Sequence, residues 1–108
     1  CTHLEVSSAE LRLAQVKFIQ KKVKSIKNPV FLAGDMNAKP DSPEMAFLRK
    51  GWDDLTNREL TYSTKEPSIK IDYIYCRKGS GVKLIDTKVC HDTVLSDHFP
   101  VVANIEIN

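Results

Sequence analysis

Several residue types and patterns are scarce in this chain of 108 residues, and each scarcity excludes a class of protein. The 3 cysteines are an odd number, so they cannot form a complete disulfide framework within the chain. No apolar run approaches the length of a membrane-spanning helix, and no lipid-attachment pattern is present. Repeated and low-complexity segments are also absent. We therefore expect neither a membrane span nor a fibrous or disordered protein.

Charge is present in ordinary amount but shows little excess of one sign. Hydrophobic residues make up 42% of the chain and charged residues 28%, a mixture typical of a globular domain. The net charge of +2 provides little overall attraction for nucleic acid. The length fits one small domain.

The cysteines allow two interpretations. Cys76 and Cys90 each end an apolar run, which predicts buried free thiols. The alternative is a zinc site made by Cys1, His3, Cys90 and His91, although their spacing matches no standard zinc pattern.

A surface helix is predicted between residues 7 and 28. Ser7 followed by Glu10 is typical of a capping box, and Asn28-Pro29 predicts the end of the helix. Apolar residues recur at helical spacing, namely Leu11, Val16, Ile19, Val23 and Ile26. Lysines fill much of the other surface, namely Lys17, Lys21, Lys22, Lys24 and Lys27. Such a surface is typical of a solvated helix face, and a phosphate-binding patch is the alternative.

Strands dominate the rest of the chain. Residues 30–33 form a short apolar run that predicts a buried strand, and Ser42-Pro43 predicts the start of a second, short helix. Further strands are predicted over 71–76, 82–89 and 101–107, and Thr2-His3-Leu4 is predicted to end an earlier strand. The order of elements predicts an α/β fold with a mixed sheet.

Polar residues occur at the ends of these strands. Asp35 and Asn37 directly follow the first buried strand, where sites of α/β proteins gather, although Asp-Met-Asn is also a good turn sequence. Asp72 interrupts an apolar strand, and a carboxylate there needs a partner unless the strand edge is exposed. Asp97 and His98 precede the last strand and can supply a hard oxygen ligand and a proton-handling group.

Four short segments resemble motifs of the endonuclease/exonuclease/phosphatase superfamily, which has the deoxyribonuclease I-like fold. Gly34-Asp35-Met36-Asn37 is similar to its Gly-Asp-Phe-Asn, and Ile71-Asp72-Tyr73-Ile74 to its Asp-Tyr-Ile strand. Ser96-Asp97-His98-Phe99-Pro100-Val101 is similar to its Ser-Asp-His-x-Pro-Val, and Thr2-His3-Leu4 to its Thr-His-Leu. The motifs occur in the family's order and span nearly the whole chain.

The resemblance implies a fold and a position within it. The family's domain is a four-layer α/β/β/α sandwich, and residues 1–108 would be its C-terminal half, with one mixed sheet and helices on its outer face. The family's first-half asparagine and metal-binding glutamate have no counterpart here. The inner face of the sheet would pack against the missing N-terminal half or self-associate. We expect residues 1–108 alone to be nearly inactive.

The resemblance also implies roles for six residues. Asp97 would be a ligand of Mg²⁺ or Mn²⁺. Asp35 would orient or deprotonate the attacking water, and Asn37 would bind a phosphate oxygen or hold Asp35. Asp72 would pair with His98, and His98 and His3 would stabilise charge on the phosphate.

A metal-dependent phosphoester hydrolase is therefore the predicted function. The substrate class stays open among nucleic acid, lipid headgroups and sugar phosphates. The alternative is a non-catalytic binding or assembly domain that retains the fold.

Overall fold

The computed structural model describes residues 1–108 and contains two helices and six strands. In chain order they are β1 (Thr2–His3), α1 (Ala9–Val23), β2 (Phe31–Asp35), α2 (Pro43–Leu48), β3 (Trp52–Asp54), β4 (Asp72–Arg77), β5 (Val82–Val89) and β6 (Val101–Ile107).

The main sheet has four strands in the order β1-β2-β4-β3. β1 is parallel to β2, whereas β2 and β3 are antiparallel to β4, so the predicted mixed sheet and α/β class are confirmed. β5 and β6 pair with each other as a separate antiparallel two-stranded sheet. The predicted strands are present, and the structure adds that they divide between two sheets.

The hydrophobic core lies between the helices and one face of the main sheet. Leu32 of β2 and Tyr75 of β4 are register partners and belong to this core, as does Tyr73 two residues earlier. Val16 of α1 and Met45 of α2 pack against them. Both helices therefore cover the same face, as the predicted outer layer requires.

The ends of α1 differ from their predicted positions. Ser8, and not Ser7, is the N-cap, and its Oγ accepts a hydrogen bond from the Leu11 amide at 3.2 Å. Ser7 instead donates its hydroxyl to Glu5. The helix ends at Val23, where the Arg77 guanidinium binds the Val23 carbonyl oxygen at 2.6 Å. A side chain remote in sequence thus satisfies the helix end before Asn28-Pro29 is reached.

The contact between β1 and β2 depends on Gly34. Its φ is +140°, and a Cβ at this position would lie 1.9 Å from the Thr2 carbonyl oxygen. Only glycine allows this approach. The resulting register places His3 beside Asp35.

The second face of the main sheet is less completely covered. Phe31, Ala33 and Ile74 point away from the helices, and Phe31 is 37% exposed. The predicted burial of the run 30–33 therefore holds fully only for Leu32. Neither helix has the length and apolar character needed to cross a bilayer.

Candidate active site

The site begins with two carboxylates on adjacent strands. Asp35 ends β2 and Asp72 begins β4, and the two residues are register partners in the antiparallel pair. Directly opposed residues of paired strands place their side chains on the same face of the sheet. Both side chains are mostly buried, with 18% and 16% of their surface exposed.

His98 links the two carboxylates. Its Nδ1 lies 2.8 Å from Oδ2 of Asp72, a hydrogen-bonding distance that agrees with the expected pair. A carboxylate only accepts hydrogen bonds, so the proton of this bond belongs to Nδ1. The other ring nitrogen, Nε2, then lies 3.6 Å from Oδ2 of Asp35.

Asp35 stands between two imidazoles. His3 Nε2 is 3.5 Å from the same Oδ2 atom that faces His98, and the His3 side chain is 75% exposed. The other oxygen, Oδ1, accepts a hydrogen bond from the backbone amide of Asn37 at 2.8 Å. The structure therefore contains both features that the sequence left open, because Asp-Met-Asn forms a turn and also directs Oδ2 of Asp35 toward the two imidazoles.

Asn37 supports the site in a way that the sequence did not predict. Its backbone has φ +47°, and its side-chain amide donates to the Leu4 carbonyl oxygen at 2.8 Å. The side chain thus ties the end of β2 to the end of β1. Of its two predicted contacts, the structure contains the one to Asp35, which Asn37 makes through its backbone amide.

The surroundings of His98 favour its charged form. Partial burial lowers the pKa of this imidazole, but its hydrogen bond to the Asp72 carboxylate and the negative charges of Asp72, Asp35 and Asp97 outweigh burial. The net result is a pKa above the ordinary histidine value.

Asp97 precedes His98 in the chain and its charge acts on that imidazole, but Asp97 is more exposed than Asp35 and Asp72. The only side-chain hydrogen bond of its carboxylate is a long one, 3.4 Å from Ser96 Oγ. Its loop is held by Thr64, which donates its amide to the Asp97 carbonyl and its hydroxyl to the Ser96 carbonyl. The Asp97 carboxylate is therefore available for a ligand.

One group of side chains has the spacing of a metal site. Ligand atoms of Asp35, Asp72 and His98 all lie within 4.8 Å of one another. Hard carboxylate oxygens suit Mg²⁺ or Mn²⁺, and Mg²⁺ often uses only one or two carboxylates. The chemistry of the donor set thus fits a divalent cation.

The zinc alternative is wrong. Its cysteines and histidines do not form a metal-binding group. Cys76 is buried and Cys90 is partly buried, and all three cysteines are free. His91 packs edge-on against Phe99 and contacts the Leu60 carbonyl.

Three supporting residues were not predicted as part of the site. Thr61 is fully buried, and its Oγ1 accepts the amides of Ile71 at 3.1 Å and Asp72 at 3.3 Å. Lys70 donates to the Asp72 carbonyl at 2.8 Å. The Tyr62 ring is 4.9 Å from the His98 ring. Thr61-Tyr62-Ser63 resembles a family segment, which was the available signal for two of them.

Burial and two nearby carboxylates act in opposite directions on the pKa of Lys70. Its side chain is almost inaccessible, and burial lowers its pKa, while the charges of Asp54 and Asp72 oppose that effect. The Lys70 ammonium also lies 4.3 Å from the centre of the Tyr73 ring. It therefore links the start of β4 to the core.

Solved structures with the same fold are about twice as long as this chain. A protein of unknown function from Enterococcus faecalis has a TM-score of 0.85 at 26% identity, over 99% of this chain and 48% of that one. A mannosyl-6-phosphatase from Bacteroides thetaiotaomicron has a TM-score of 0.79 at 20% identity, over 97% and 49%. The human Nocturnin catalytic domain, with a bound sulfate anion, has a TM-score of 0.74 at 17% identity, over 98% and 45%.

Sequence comparison places the chain in a family, although no curated protein matches it. Residues 2–98 match the model of the Endonuclease/Exonuclease/phosphatase family. That range includes all six candidate site residues, from His3 to His98. The chain belongs to the endonuclease/exonuclease/phosphatase family.

Proposed function

We propose that the protein containing this chain hydrolyses phosphoesters with the help of a divalent metal ion. The observation that carries the proposal is the sequence of contacts from Asp72 through His98 to Asp35. It joins a carboxylate, an imidazole of raised pKa and a second carboxylate, whose Oδ2 faces the imidazole without a hydrogen bond. A structural role alone does not require this spacing of partly buried charges.

Each group has a proposed part in the reaction. Asp35 Oδ2 orients the attacking water and accepts its proton, because Oδ1 is already held by the Asn37 amide. His98, kept protonated by Asp72, donates from Nε2 to a phosphate oxygen as negative charge grows there. His3, which is exposed at the same edge, contacts a second phosphate oxygen.

We propose Asp97 as the metal ligand from this chain, with Mg²⁺ or Mn²⁺ as the ion. Its carboxylate is exposed and next to His98. A bound divalent cation would offset phosphate charge and steady the leaving oxygen. Further ligand atoms for the ion are available in the group of Asp35, Asp72 and His98.

We also propose that residues 1–108 are the C-terminal half of the catalytic domain. The chain covers 48% of the Enterococcus faecalis protein, and the inner face of its sheet is only partly covered. The other half would supply the remaining metal ligands.

The substrate class is a phosphate ester. Sugar phosphates receive support from the mannosyl-6-phosphatase that shares the fold. The sulfate bound to the Nocturnin domain agrees with an anion of the same shape and charge type as phosphate. Nucleic acid and lipid headgroups are the other members of the proposed class.

Kinetics on the natural protein at full length test the proposal. Bis(p-nitrophenyl) phosphate and p-nitrophenyl phosphate report diester and monoester hydrolysis, each with Mg²⁺, with Mn²⁺ and with a chelator. We expect metal-dependent turnover of at least one ester, and about a 100-fold loss or more in Asp35→Asn and His98→Gln. Lys83→Gln, at an exposed position on β5, is the control. Binding of phosphate esters without turnover under every condition would favour the non-catalytic alternative.

A further inference from the structure

The low net charge of the chain conceals a strong local imbalance. Residues 11–34 contain six basic residues and no acidic residue, so this segment carries +6 while the remaining residues sum to −4. Most of that positive charge is on α1 and the turn that follows it.

The lysines of this segment lie close together on the folded surface. Lys17, Lys21 and Lys24 are spaced four and three residues apart, which places them along one side of the helix. Lys27 follows the helix, and Lys78 comes from the turn between β4 and β5. We call these five residues the basic surface. All five are exposed, and none has an acidic group within ion-pairing distance.

Arg77 holds the two parts of the basic surface together. Its guanidinium donates to the carbonyl oxygen of Val23, the last residue of α1, at 2.6 Å, and to those of Ile26 and of Asn28, at 3.0 Å, in the segment that follows the helix. These bonds fix the end of α1 against the β4–β5 turn. Lys24, Lys27 and Lys78 consequently line one cavity of about 470 Å³.

A second cavity continues along the helix. It has a volume of about 440 Å³, and its lysines are Lys17, Lys21 and Lys24. Gln20 and Lys24 line both cavities, so the two adjoin. No carboxylate lines either one.

This arrangement differs from an ordinary solvated helix face. Solvated faces usually alternate charges of opposite sign, and like charges three or four residues apart cost about 0.2–0.5 kcal/mol per pair. Favourable interaction with the helix dipole accounts for lysines in the last turn, but not for Lys17 or Lys78. An anionic ligand would offset the repulsion.

We propose that the basic surface binds a linear phosphate polymer. Lys17 and Lys24 are seven residues apart, a rise of about 10 Å along the helix. A basic surface of that length, with two adjoining cavities, suits successive phosphate groups of one polymer chain better than a single phosphate ion. The surface lies at the Arg77 end of β4, whereas the candidate active site lies at the Asp72 end. It is therefore separate from the catalytic groups.

The exposed apolar residues of α1 favour a polymer over a lipid surface. Membrane-binding helices combine lysines with apolar residues that insert between lipids. Leu11 and Phe18 are 53% and 61% exposed, but Leu11 lines neither basic cavity and Phe18 lines a groove beside β1. Ile26, which follows the helix and is 44% exposed, is the single exposed apolar residue that lines a basic cavity.

Nucleic acid and inorganic polyphosphate offer the same chemistry, and a binding experiment separates them. The probes are dye-labelled oligo(dT) and oligo(rU), unlabelled polyphosphate as competitor, and vesicles of phosphatidylcholine with phosphatidylserine. Binding is measured on the full-length natural protein over a range of salt concentrations, with a chelator present so that no turnover occurs.

The decisive variant is Lys21→Gln/Lys24→Gln, and its matched control is Lys83→Gln/Lys88→Gln on β5, where both lysines are exposed. We expect the first variant to weaken polymer binding by about tenfold or more and to reduce the slope of log K against log salt by about 1.4. The control should change neither, and Lys21→Arg/Lys24→Arg should restore binding. Melting curves verify that each variant is folded.

Several results would overturn the proposal. Equal losses in both double variants would show a general charge effect, and binding of vesicles but of no polymer would identify a lipid surface. Displacement of the bound oligonucleotide by polyphosphate would support recognition of the phosphate chain itself, whereas oligonucleotide binding that polyphosphate does not displace would assign the surface to nucleic acid. No binding of either oligonucleotide would overturn the proposal. Because His98→Ala should bind normally, failure of the proposed catalysis would leave this test intact.

Discussion

The Asp72 carboxylate and the His98 imidazole are joined by a hydrogen bond of 2.8 Å across 26 residues of sequence. The bond fixes which ring nitrogen carries the proton, so Nε2 is directed to the side of Asp35. This relationship determines the charge and the orientation of His98, and the first prediction tests it.

Asp72→Asn should lower the pKa of His98. The substitution removes a negative charge and replaces a charged acceptor of the Nδ1 proton with a neutral amide oxygen, while partial burial continues to lower the pKa. NMR titration of the metal-free protein measures the change. Turnover should fall by about 100-fold or more, since the imidazole loses the charged partner that stabilises its protonated form.

Asp86→Asn is the control for this substitution, because Asp86 is an exposed carboxylate on β5. An unchanged His98 titration in Asp72→Asn would refute the assigned origin of its charge.

Thr61→Val should disturb the Asp72–His98 pair indirectly, through the backbone amide of Asp72 and not through its carboxylate. Valine keeps the shape of threonine but leaves the buried amides of Ile71 and Asp72 without their acceptor. We expect a loss of about 2 kcal/mol in the free energy of unfolding, a shift in the His98 titration and reduced turnover. Thr61→Ser keeps the oxygen and should retain all three properties. Identical behaviour of the two variants would show that Thr61 acts through packing alone.

The sequence predicted most elements of the fold because their patterns are local. Alternating apolar residues identified β6, and Ser42-Pro43 identified the start of α2, where Ser42 is the N-cap. β3 was not predicted, since its three residues are too few to show a period. The separation of β5 and β6 from the main sheet depends on hydrogen-bond partners, which no local pattern contains.

The candidate site could also be predicted from the sequence only in part. Asp35, Asp72 and His98 were recognisable as polar residues at strand ends and from their motifs. The place of His3 depends on the register of β1 with β2, and Gly34 allows that register through close backbone contact. Thr61 was missed as a support because its contribution is a tertiary hydrogen bond.

Arg12→Met should destabilise the protein strongly. The Arg12 guanidinium binds Glu44 at 2.7 Å, and the Glu44 side chain is 1% exposed. Removing the arginine leaves a buried carboxylate unpaired, which costs about 3–5 kcal/mol. Arg12→Met/Glu44→Leu removes both charges and should recover part of that loss. Urea unfolding measures each variant, and an equal loss in the single and double variants would contradict the argument.

The same ion pair predicts an acid-dependent loss of stability. Burial raises the pKa of Glu44, but its backbone hydrogen bond and the contacts with Arg12 and Ser42 outweigh burial and lower it below 4.5. A lowered folded-state pKa stabilises the protein above the unfolded value, and that contribution disappears as pH falls through the folded pKa. Glu44→Gln should therefore lower the free energy of unfolding at neutral pH. The difference in this free energy between the variant and the unsubstituted protein should become smaller below pH 4.5. A difference independent of pH would refute the assignment.

Asp97→Asn should weaken metal binding more than it disturbs the fold. The Asp97 carboxylate is exposed and free of ion pairs, so little packing depends on it. We expect the concentration of Mg²⁺ or Mn²⁺ needed for half-maximal turnover to rise by about tenfold or more. Calorimetric titration with Mn²⁺ gives a readout independent of activity. Asp92→Asn, an exposed acidic residue in the same loop, is the matched control, and an equal effect of both would remove Asp97 from the metal site.

A polypeptide of residues 1–108 on its own should be nearly inactive and should associate with itself. Both helices pack on the face that contains Leu32 and Tyr75, so they do not cover the other face of the sheet. On the other face Phe31, Ala33 and Ile74 are incompletely covered, and a cavity of about 290 Å³ lies beside Ala33 and Ile74. Exposed apolar surface of this kind favours association.

Sedimentation velocity over a range of concentrations tests this prediction. Phe31→Gln/Ile74→Thr should shift the isolated polypeptide toward monomer, because it replaces apolar surface on the open face with polar groups. Leu95→Ser, at a loop residue that is 97% exposed, should not change the association. The same open face should bind the N-terminal half of the domain when both are present, and that mixture should regain phosphoester hydrolysis. A stable monomer that binds Mg²⁺ tightly and hydrolyses phosphoesters by itself would contradict the half-domain interpretation, because the missing half would then supply neither the covering sheet nor a needed ligand.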